Sequence, residues 1–195
     1  SRLSKTKPER GFVDLFCGAG GFLIGFANAG MQPLASVDLN DRVKDTHVLN
    51  HHEVPFIQGD LSLRSTQSQV HKLAGSKPFA VVGGPPCQGF SVFGKRRLAT
   101  VDEKDASADP RNRLVLAFVD SVKAIEPRWV VMENVAGFAT MSDGLFVRKL
   151  VYLLKKQGYK TIEHRILDAA DYGVPQHRRR FVLIANRTGH IIPWP

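Results

Sequence analysis

Short apolar runs alternate with amphipathic stretches along almost the whole chain. The apolar runs predict strands at residues 11–16, 33–39, 55–58, 79–82, 129–132, 159–167 and 181–185. Capping signals and apolar residues at helical spacing predict helices at residues 22–29, 41–50, 114–125 and 146–154, and one through Val70 and Leu73. Strands that alternate with helices form mostly parallel sheets. The pattern therefore predicts an α/β fold whose doubly wound, mostly parallel sheet carries helices on both faces.

Composition and charge narrow the class of protein. With 195 residues and 43% hydrophobic content, the chain is long enough for one domain with a real core. We predict this domain at residues 11–190, after a flexible basic segment at residues 1–10 and before the start of a linker at residues 191–195. We expect no membrane partner, because no signal peptide and no apolar run of spanning length is present. The net charge of +9 favours a polyanionic partner.

The two cysteines of the chain provide neither a disulfide framework nor a metal cluster. We therefore expect a reducing compartment and no metal site. One of them, Cys87, follows the predicted strand 79–82 through Gly83-Gly84-Pro85-Pro86. The prolines fix two φ angles, and the glycines let another molecule come close to the backbone. Such a segment would hold a nucleophilic side chain rigidly in an accessible position. The alternative is a structural role, because an arbitrary lone cysteine is more often a buried core residue.

Polar residues stand at the ends of the first five predicted strands. They are Asp14, Asp38, Asp60, Cys87 and Glu133. Because ligands bind at the carboxyl ends of parallel strands, one crevice can collect all of them. A turn at residues 18–21 follows the first strand and exposes backbone N–H groups at a helix N-terminus. The turn lacks the glycine spacing of a dinucleotide site, which counts against a nicotinamide cofactor.

Six motifs in order resemble those of the cytosine carbon-5 methyltransferases. They are Asp14 to Gly21, Asp38, Gly59-Asp60, Gly84 to Ser91, Glu133-Asn134-Val135, and Gln176 to Arg180. The match runs from Phe12 to about Ala185, and its Pro-Cys and Glu-Asn-Val strings are highly specific. The resemblance implies the Rossmann-like fold of S-adenosylmethionine-dependent methyltransferases. It also implies DNA (cytosine-5) methyltransferase activity of a restriction-modification or epigenetic type.

The resemblance further implies a binding site for S-adenosyl-L-methionine. The cofactor-binding residues it identifies are Asp14, Phe16, Gly18, Gly20, Asp38, Asp60, Pro85 and Leu114. Asp38 would hold the ribose hydroxyls and Asp60 the adenine amino group. A glutamate is commoner in the family at the position of Asp38.

The same family likeness implies a covalent mechanism. The catalytic residues it identifies are Cys87, Glu133, Arg178 and Arg180, and the substrate-binding residues are Gln88, Ser91, Asn134 and Gln176. Carbon 5 of cytosine is a poor nucleophile until a thiolate adds at carbon 6, which is the role expected of Cys87. Glu133 would stabilise the charge that builds at N3, and the arginines would favour the thiolate and contact the base or phosphate. Residues 88–112, which have almost no apolar periodicity, resemble the mobile catalytic loop that closes over a flipped base.

The sequence leaves two rival functions open, and it departs from the family pattern at one place. A tRNA cytosine-5 methyltransferase has the same chemistry, and a non-catalytic S-adenosylmethionine-binding or DNA-binding subunit has the same fold. The chain ends at Pro195, where relatives continue into a target-recognition region and a closing segment. We expect either one subunit of a split enzyme, with a second polypeptide as partner, or a part of a longer enzyme. The expected location is the cytoplasm of a bacterium or the nucleus of a eukaryote.

Overall fold

A computed structural model of the chain describes residues 10–75, 77–86 and 113–195. Cys87, Gln88 and Ser91 lie outside these residues, as do the predicted catalytic loop at residues 88–112 and the first nine residues of the predicted basic segment. The division into a basic segment, a domain and a linker stays a prediction.

The described residues form one sheet of seven strands, with helices packed against it. The strands are β1 Gly11–Leu15, β2 Gln32–Asp38, β3 Phe56–Gln58, β4 Ala80–Gly83, β5 Trp129–Val135, β6 Thr161–Asp168 and β7 Arg179–Asn186. The α-helices are α1 Gly21–Asn28, α2 Asp41–Asn50, α3 Arg64–Ala74, α4 Arg113–Ile125 and α5 Leu145–Lys156. Two 3-10 helices span Ala136–Gly144 and Ala169–Tyr172.

The strand order is β3-β2-β1-β4-β5-β7-β6. Strands β1 to β5 pair in parallel, whereas β7 lies antiparallel between β5 and β6. The prediction of a doubly wound, mostly parallel sheet is therefore confirmed. The order places the carboxyl ends of β3, β2, β1, β4 and β5 along one edge, in that sequence.

The core occupies both faces of this sheet, because neighbouring strand residues point to opposite faces. Val13 and Leu15 of β1 belong to the larger apolar cluster, which also contains Val70 of α3, Phe118 of α4 and Leu154 of α5. Alternating residues of the central strands, with Leu23 of α1, form a smaller cluster: Phe12, Ala80 and Val82. Helices thus cover both faces, as the sequence predicts.

The strand that carries the Glu-Asn-Val motif is longer than its apolar run predicts. We expected residues 129–132, but β5 continues to Val135 because Glu133 pairs with Val182 and Val135 with Arg180. Glu133 therefore lies within the strand, not at its end, and the 3-10 helix that follows was not predicted. Backbone pairing with β7 extends the strand past the point where its side chains cease to be apolar.

Other element bounds agree closely with the pattern. Helix α2 spans the predicted residues, and the Asn40 side chain caps it by accepting a hydrogen bond from Arg42 N at 3.0 Å. Strand β1 ends one residue earlier than predicted, since Phe16 has a φ of 60°. None of the helices within the described residues has the length and apolar character that crossing a membrane requires.

Candidate active site

The strand order collects the predicted polar residues at one edge of the sheet. Asp60, Asp38 and Asp14 stand at or within two residues of the ends of β3, β2 and β1, which are neighbours. Pro85 follows β4, and Glu133 lies within β5, two residues before the end of that strand. Cys87 comes directly after Pro86 in the chain and lies outside the described residues.

The turn between β1 and α1 has an unusual backbone. Phe16, Gly18 and Gly20 all have positive φ angles, of 60°, 52° and 96°. This conformation is strained for a bulky residue such as Phe16, and strain of this kind clusters at functional sites. Cys17 N donates to Val37 O at 3.0 Å and Gly20 N to Cys17 O at 2.9 Å, which ties the turn to β2.

Asp38 holds this turn from the neighbouring strand. Its Oδ2 accepts a hydrogen bond from Gly18 N, and its Oδ1 accepts one from Asn40 N, both at 2.9 Å. Asp38 is half-buried, and each carboxylate oxygen can accept a further hydrogen bond. The residue is therefore suited to binding paired hydroxyls such as those of a ribose.

Asp14 is a fully buried carboxyl beneath the same turn. It is 0% exposed, and neither oxygen has a hydrogen-bond partner within the described residues. Burial raises the pKa of Asp14 to about 8. The nearby Leu23 backbone N–H opposes this in part, although its geometry is not that of a hydrogen bond, and the charge of Asp38 adds to the rise. An isolated buried carboxyl is costly and marks a candidate functional site. At neutral pH this buried carboxyl therefore tends to hold its proton, and a cation bound nearby would favour its ionised form.

A buried cysteine and two histidines lie behind the turn, and no local pattern predicts their contact. The Cys17 Sγ is 3.9 Å from His47 Nδ1, and the His47 and His51 rings are 5.2 Å apart. Burial raises the pKa of the Cys17 thiol far above its usual range, and Asp14 and Asp38 raise it further. Burial also lowers the pKa of His47, as does the neighbouring His51. Cys17 is therefore a poor nucleophile.

Asp60 is oriented by its own loop and by α4. Its Oδ1 accepts a hydrogen bond from Ser62 N at 2.8 Å, and its Oδ2 is 4.0 Å from Arg113 Nη2. Hydrogen bonds from Ser62, and then the charge of Arg113, lower the pKa of Asp60. Arg113 was not predicted as a site residue, because nothing in the local pattern links it to Asp60. Leu114 follows it in the first turn of α4 and is half-buried.

Glu133 is held by a cation from β7. Arg180 Nε lies 2.8 Å from Glu133 Oε1, and both side chains are a little more than one quarter exposed. Behind this pair, Asn134 is buried and its Nδ2 donates to Pro85 O at 3.0 Å. The Glu-Asn-Val motif of β5 thus contacts both the end of β4 and the start of β7.

The remaining predicted residues lie on the connection before β7. Gln176 and Arg178 are exposed, and neither side chain makes a hydrogen bond or ion pair within residues 10–75, 77–86 and 113–195. The structure therefore brings Arg180, but not Arg178, to Glu133. In the same part of the chain, no three His, Cys, Asp or Glu residues are grouped so as to hold a metal ion.

The strand order and the antiparallel β7 define an α/β protein of Rossmann-like methyltransferase fold. The family model for C-5 cytosine-specific DNA methylase matches residues 11–194. The chain belongs to this family.

Relatives and solved structures agree with this assignment. The chain is 39% identical over 184 residues to Type II methyltransferase M1.HphI of Haemophilus parahaemolyticus, covering 94% of the chain and 48% of that protein. It is 35% identical over 197 residues to Type II methyltransferase M.AquIA of Picosynechococcus, covering 96% of the chain and 76% of that protein. The crystal structure of the S. pombe Dnmt2 methyltransferase shares the fold, with a TM-score of 0.71 at 21% identity over 94% of this chain and 52% of that one. The chain thus spans about half the length of M1.HphI.

Proposed function

We propose that this chain is the catalytic part of a DNA (cytosine-5) methyltransferase of the restriction-modification type, with S-adenosyl-L-methionine as methyl donor. The observation that carries the proposal is the Arg180–Glu133 ion pair, which lies beside the end of β4 that leads to Cys87. Family membership and the Type II names of M1.HphI and M.AquIA support the reaction and its biological setting.

The cofactor site is proposed at the ends of β1, β2 and β3. S-adenosylmethionine supplies an electrophilic methyl group when bound. Asp38 accepts hydrogen bonds from the ribose hydroxyls, and Asp60 accepts one from the adenine amino group. Asp14 lies beneath the turn, where the cationic end of the cofactor would favour its ionised form over the protonated form that burial favours. The other residues proposed to line the site are Phe16, Gly18, Gly20, Pro85 and Leu114. The orphaned Asp14 carboxyl and the positive-φ turn support this assignment.

The proposed reaction begins with the Cys87 thiolate. Its sulfur forms a bond to carbon 6 of a flipped cytosine, and the ring electrons then make carbon 5 nucleophilic. Glu133, oriented by Arg180, places a proton at N3 as negative charge builds there, and Arg178 contacts the base or phosphate. Carbon 5 gains the methyl group as the bond between that methyl and the cofactor breaks, which would leave the cofactor as a neutral thioether. A base then removes the carbon-5 proton, and the bond between carbon 6 and the Cys87 sulfur breaks, which returns the thiolate. Gln88, Ser91 and Gln176 are the proposed substrate contacts, whereas the buried Asn134 is proposed to act on the substrate through its hydrogen bond to Pro85 O.

DNA is the proposed polymeric partner. The net charge of +9 and the exposed side chain of Arg178 support phosphate contacts. Residues outside this chain, in the same or a second polypeptide, are proposed to read the target sequence. The greater length of M1.HphI supports this division. The bacterial relatives support a location in the cytoplasm, at the nucleoid.

The experiment that tests the function is methyl transfer from radiolabelled S-adenosylmethionine, with duplex DNA and tRNA as competing acceptors. It uses the chain alone and the complete enzyme or complex that contains it. We expect label in carbon 5 of DNA cytosine and covalent capture by an oligonucleotide that contains 5-fluorocytosine. Label in tRNA alone would establish the rival substrate. Cofactor binding without transfer or capture in any form would establish a non-catalytic subunit.

A further inference from the structure

The connection between β6 and β7 carries two proposed site residues on an exposed backbone. It comprises residues 169–178, and every residue from 171 to 178 is exposed. Gln176 and Arg178 lie in it, and Arg180 follows in β7. Since a misplacement of about 1 Å can cost roughly 10²-fold in rate, such a segment must be anchored if its side chains act in catalysis.

Asp168 contacts this connection near both of its ends. It is the last residue of β6 and pairs with Arg179 across the sheet. Its Oδ1 accepts hydrogen bonds from Ala170 N at 3.2 Å and Arg178 N at 2.8 Å. Its Oδ2 lies 3.1 Å from His177 Nδ1. One carboxylate therefore joins the beginning of the connection to its last two residues.

The environment of Asp168 differs from that of an ordinary surface carboxylate. Its side chain is 19% exposed, whereas that of His177 is 89% exposed. Hydrogen bonds from His177, Ala170 and Arg178 lower the pKa of Asp168, so the acceptor is charged at neutral pH. Charge-assisted hydrogen bonds are roughly twice as strong as neutral ones. The backbone adds a bond from Ala169 N to Arg178 O at 3.2 Å.

We propose that Asp168 is a positioning residue: its carboxylate holds together the two ends of the connection at residues 169–178. It thereby fixes where Gln176, Arg178 and Arg180 meet the substrate. The inference rests on the proposed methyltransferase function. Asp168 acts through the Arg178 backbone N–H and the start of β7, not by touching the reacting atoms.

The test compares Asp168→Ala and Asp168→Asn with a matched control, Asp171→Asn. The Asn side chain keeps an oxygen that can accept hydrogen bonds from Ala170 N and Arg178 N, whereas the Ala side chain has no acceptor. Asp171 is an exposed carboxylate in the same connection. In the active enzyme we expect Asp168→Ala to lower kcat about 10²-fold. KM for S-adenosylmethionine should stay unchanged, since its proposed site lies at β1 to β3. Asp168→Asn should recover most of kcat, and Asp171→Asn should match the wild type.

Hydrogen exchange on the 195-residue chain supplies a readout that does not need activity. The Arg178 backbone N–H should exchange faster in Asp168→Ala than in the wild type, and Asp168→Asn should restore its protection. If Asp168→Ala does not fold, Asp168→Glu displaces the carboxylate by one methylene and should lower kcat in a folded protein.

Wild-type kcat in Asp168→Ala, or in Asp168→Glu where that variant replaces it, would overturn the inference. Unchanged exchange at Arg178 would do the same. An enzyme in which no form, wild type included, transfers methyl groups would overturn the proposed function instead. In that case hydrogen exchange at the Arg178 backbone N–H still decides whether Asp168 holds the two ends of the connection together.

Discussion

Arg180 Nε lies 2.8 Å from Glu133 Oε1, and this ion pair joins the antiparallel strand β7 to the parallel strand β5. Arg180 pairs with Val135, which is two residues beyond Glu133, so Arg180 and Glu133 are diagonal neighbours on one face. Both side chains are partly exposed, which leaves the carboxylate accessible to a ligand while its direction is set. The pair therefore fixes the group proposed to act at N3 of the cytosine.

Replacing Arg180 by methionine should disorient Glu133 without removing it. We expect kcat at saturating DNA to fall roughly 10²-fold or more, because proton transfer and charge stabilisation at N3 depend on the placement of that carboxylate. Arg179→Met is the matched control, since Arg179 is exposed and neighbouring strand residues point to opposite faces. Equal values of kcat for the two variants in steady-state assays would contradict the proposed role of Arg180.

The two cysteines provide an internal comparison for the nucleophile. Cys87→Ala should abolish both turnover and capture by a 5-fluorocytosine oligonucleotide, while calorimetry shows nearly unchanged S-adenosylmethionine binding. Cys17→Ala should keep capture, because burial and the neighbouring carboxylates raise the pKa of the Cys17 thiol far above its usual range. Methylation retained by Cys87→Ala would remove this residue from the mechanism.

Asp38→Ala should weaken S-adenosylmethionine binding. Loss of a hydrogen bond to a charged group costs about 1.5 to 3 kcal/mol, which corresponds to roughly 10- to 150-fold in Kd. The variant also loses the bonds that Asp38 accepts from Gly18 N and Asn40 N, so the turn itself is less restrained. Calorimetry should show the weaker affinity, with the exposed Asp45→Ala as control. Unchanged affinity would show that Asp38 does not bind the cofactor.

Asp14→Asn tests the buried carboxyl through the pH dependence of stability. The pKa of Asp14 in the folded chain is about 8, above its usual 3.8, so the folded protein retains a proton that the unfolded chain releases between these values. Wild-type stability should therefore fall relative to Asp14→Asn as pH rises through this window, by up to about 1.4 kcal/mol for each pH unit. Urea unfolding of both proteins at pH 5 and pH 8 measures the difference. A constant difference would mean that Asp14 does not titrate in this window.

The glycines at the end of β4 should respond differently to substitution. A Cβ on Gly83 would lie 2.3 Å from the Leu15 backbone oxygen, so Gly83→Ala should destabilise the protein by about 1 to 3 kcal/mol. A Cβ on Gly84 would lie 3.1 Å from Glu133 Oε2, the end of a side chain that can move. We expect Gly84→Ala to lower kcat with little loss of stability. Thermal unfolding and kcat, measured on both variants, separate the effect on stability from the effect on catalysis. Equal melting temperatures for the two variants would contradict the predicted loss of stability in Gly83→Ala.

Much of the fold could be predicted because its signals are local. Asp41 near the start of α2 predicts this helix at its observed bounds, and the alternation of strands and helices predicts the doubly wound sheet. The extension of β5 to Val135 could not be predicted, since it depends on pairing with β7. The contact between Arg113 and Asp60 was missed for the same reason: it joins the start of α4 to the loop after β3.

The sequence by itself determined which reactive groups the chain carries and which of them follow buried strands, because apolar periodicity and turn residues act over a few neighbouring positions. Only the tertiary structure decided which groups meet. Asp60, Asp38 and Asp14 share one edge because β3, β2 and β1 are neighbours, and Arg180, not Arg178, reaches Glu133 because β7 runs antiparallel beside β5. Strand order and direction are set by how the whole core packs, which no single segment of the sequence encodes.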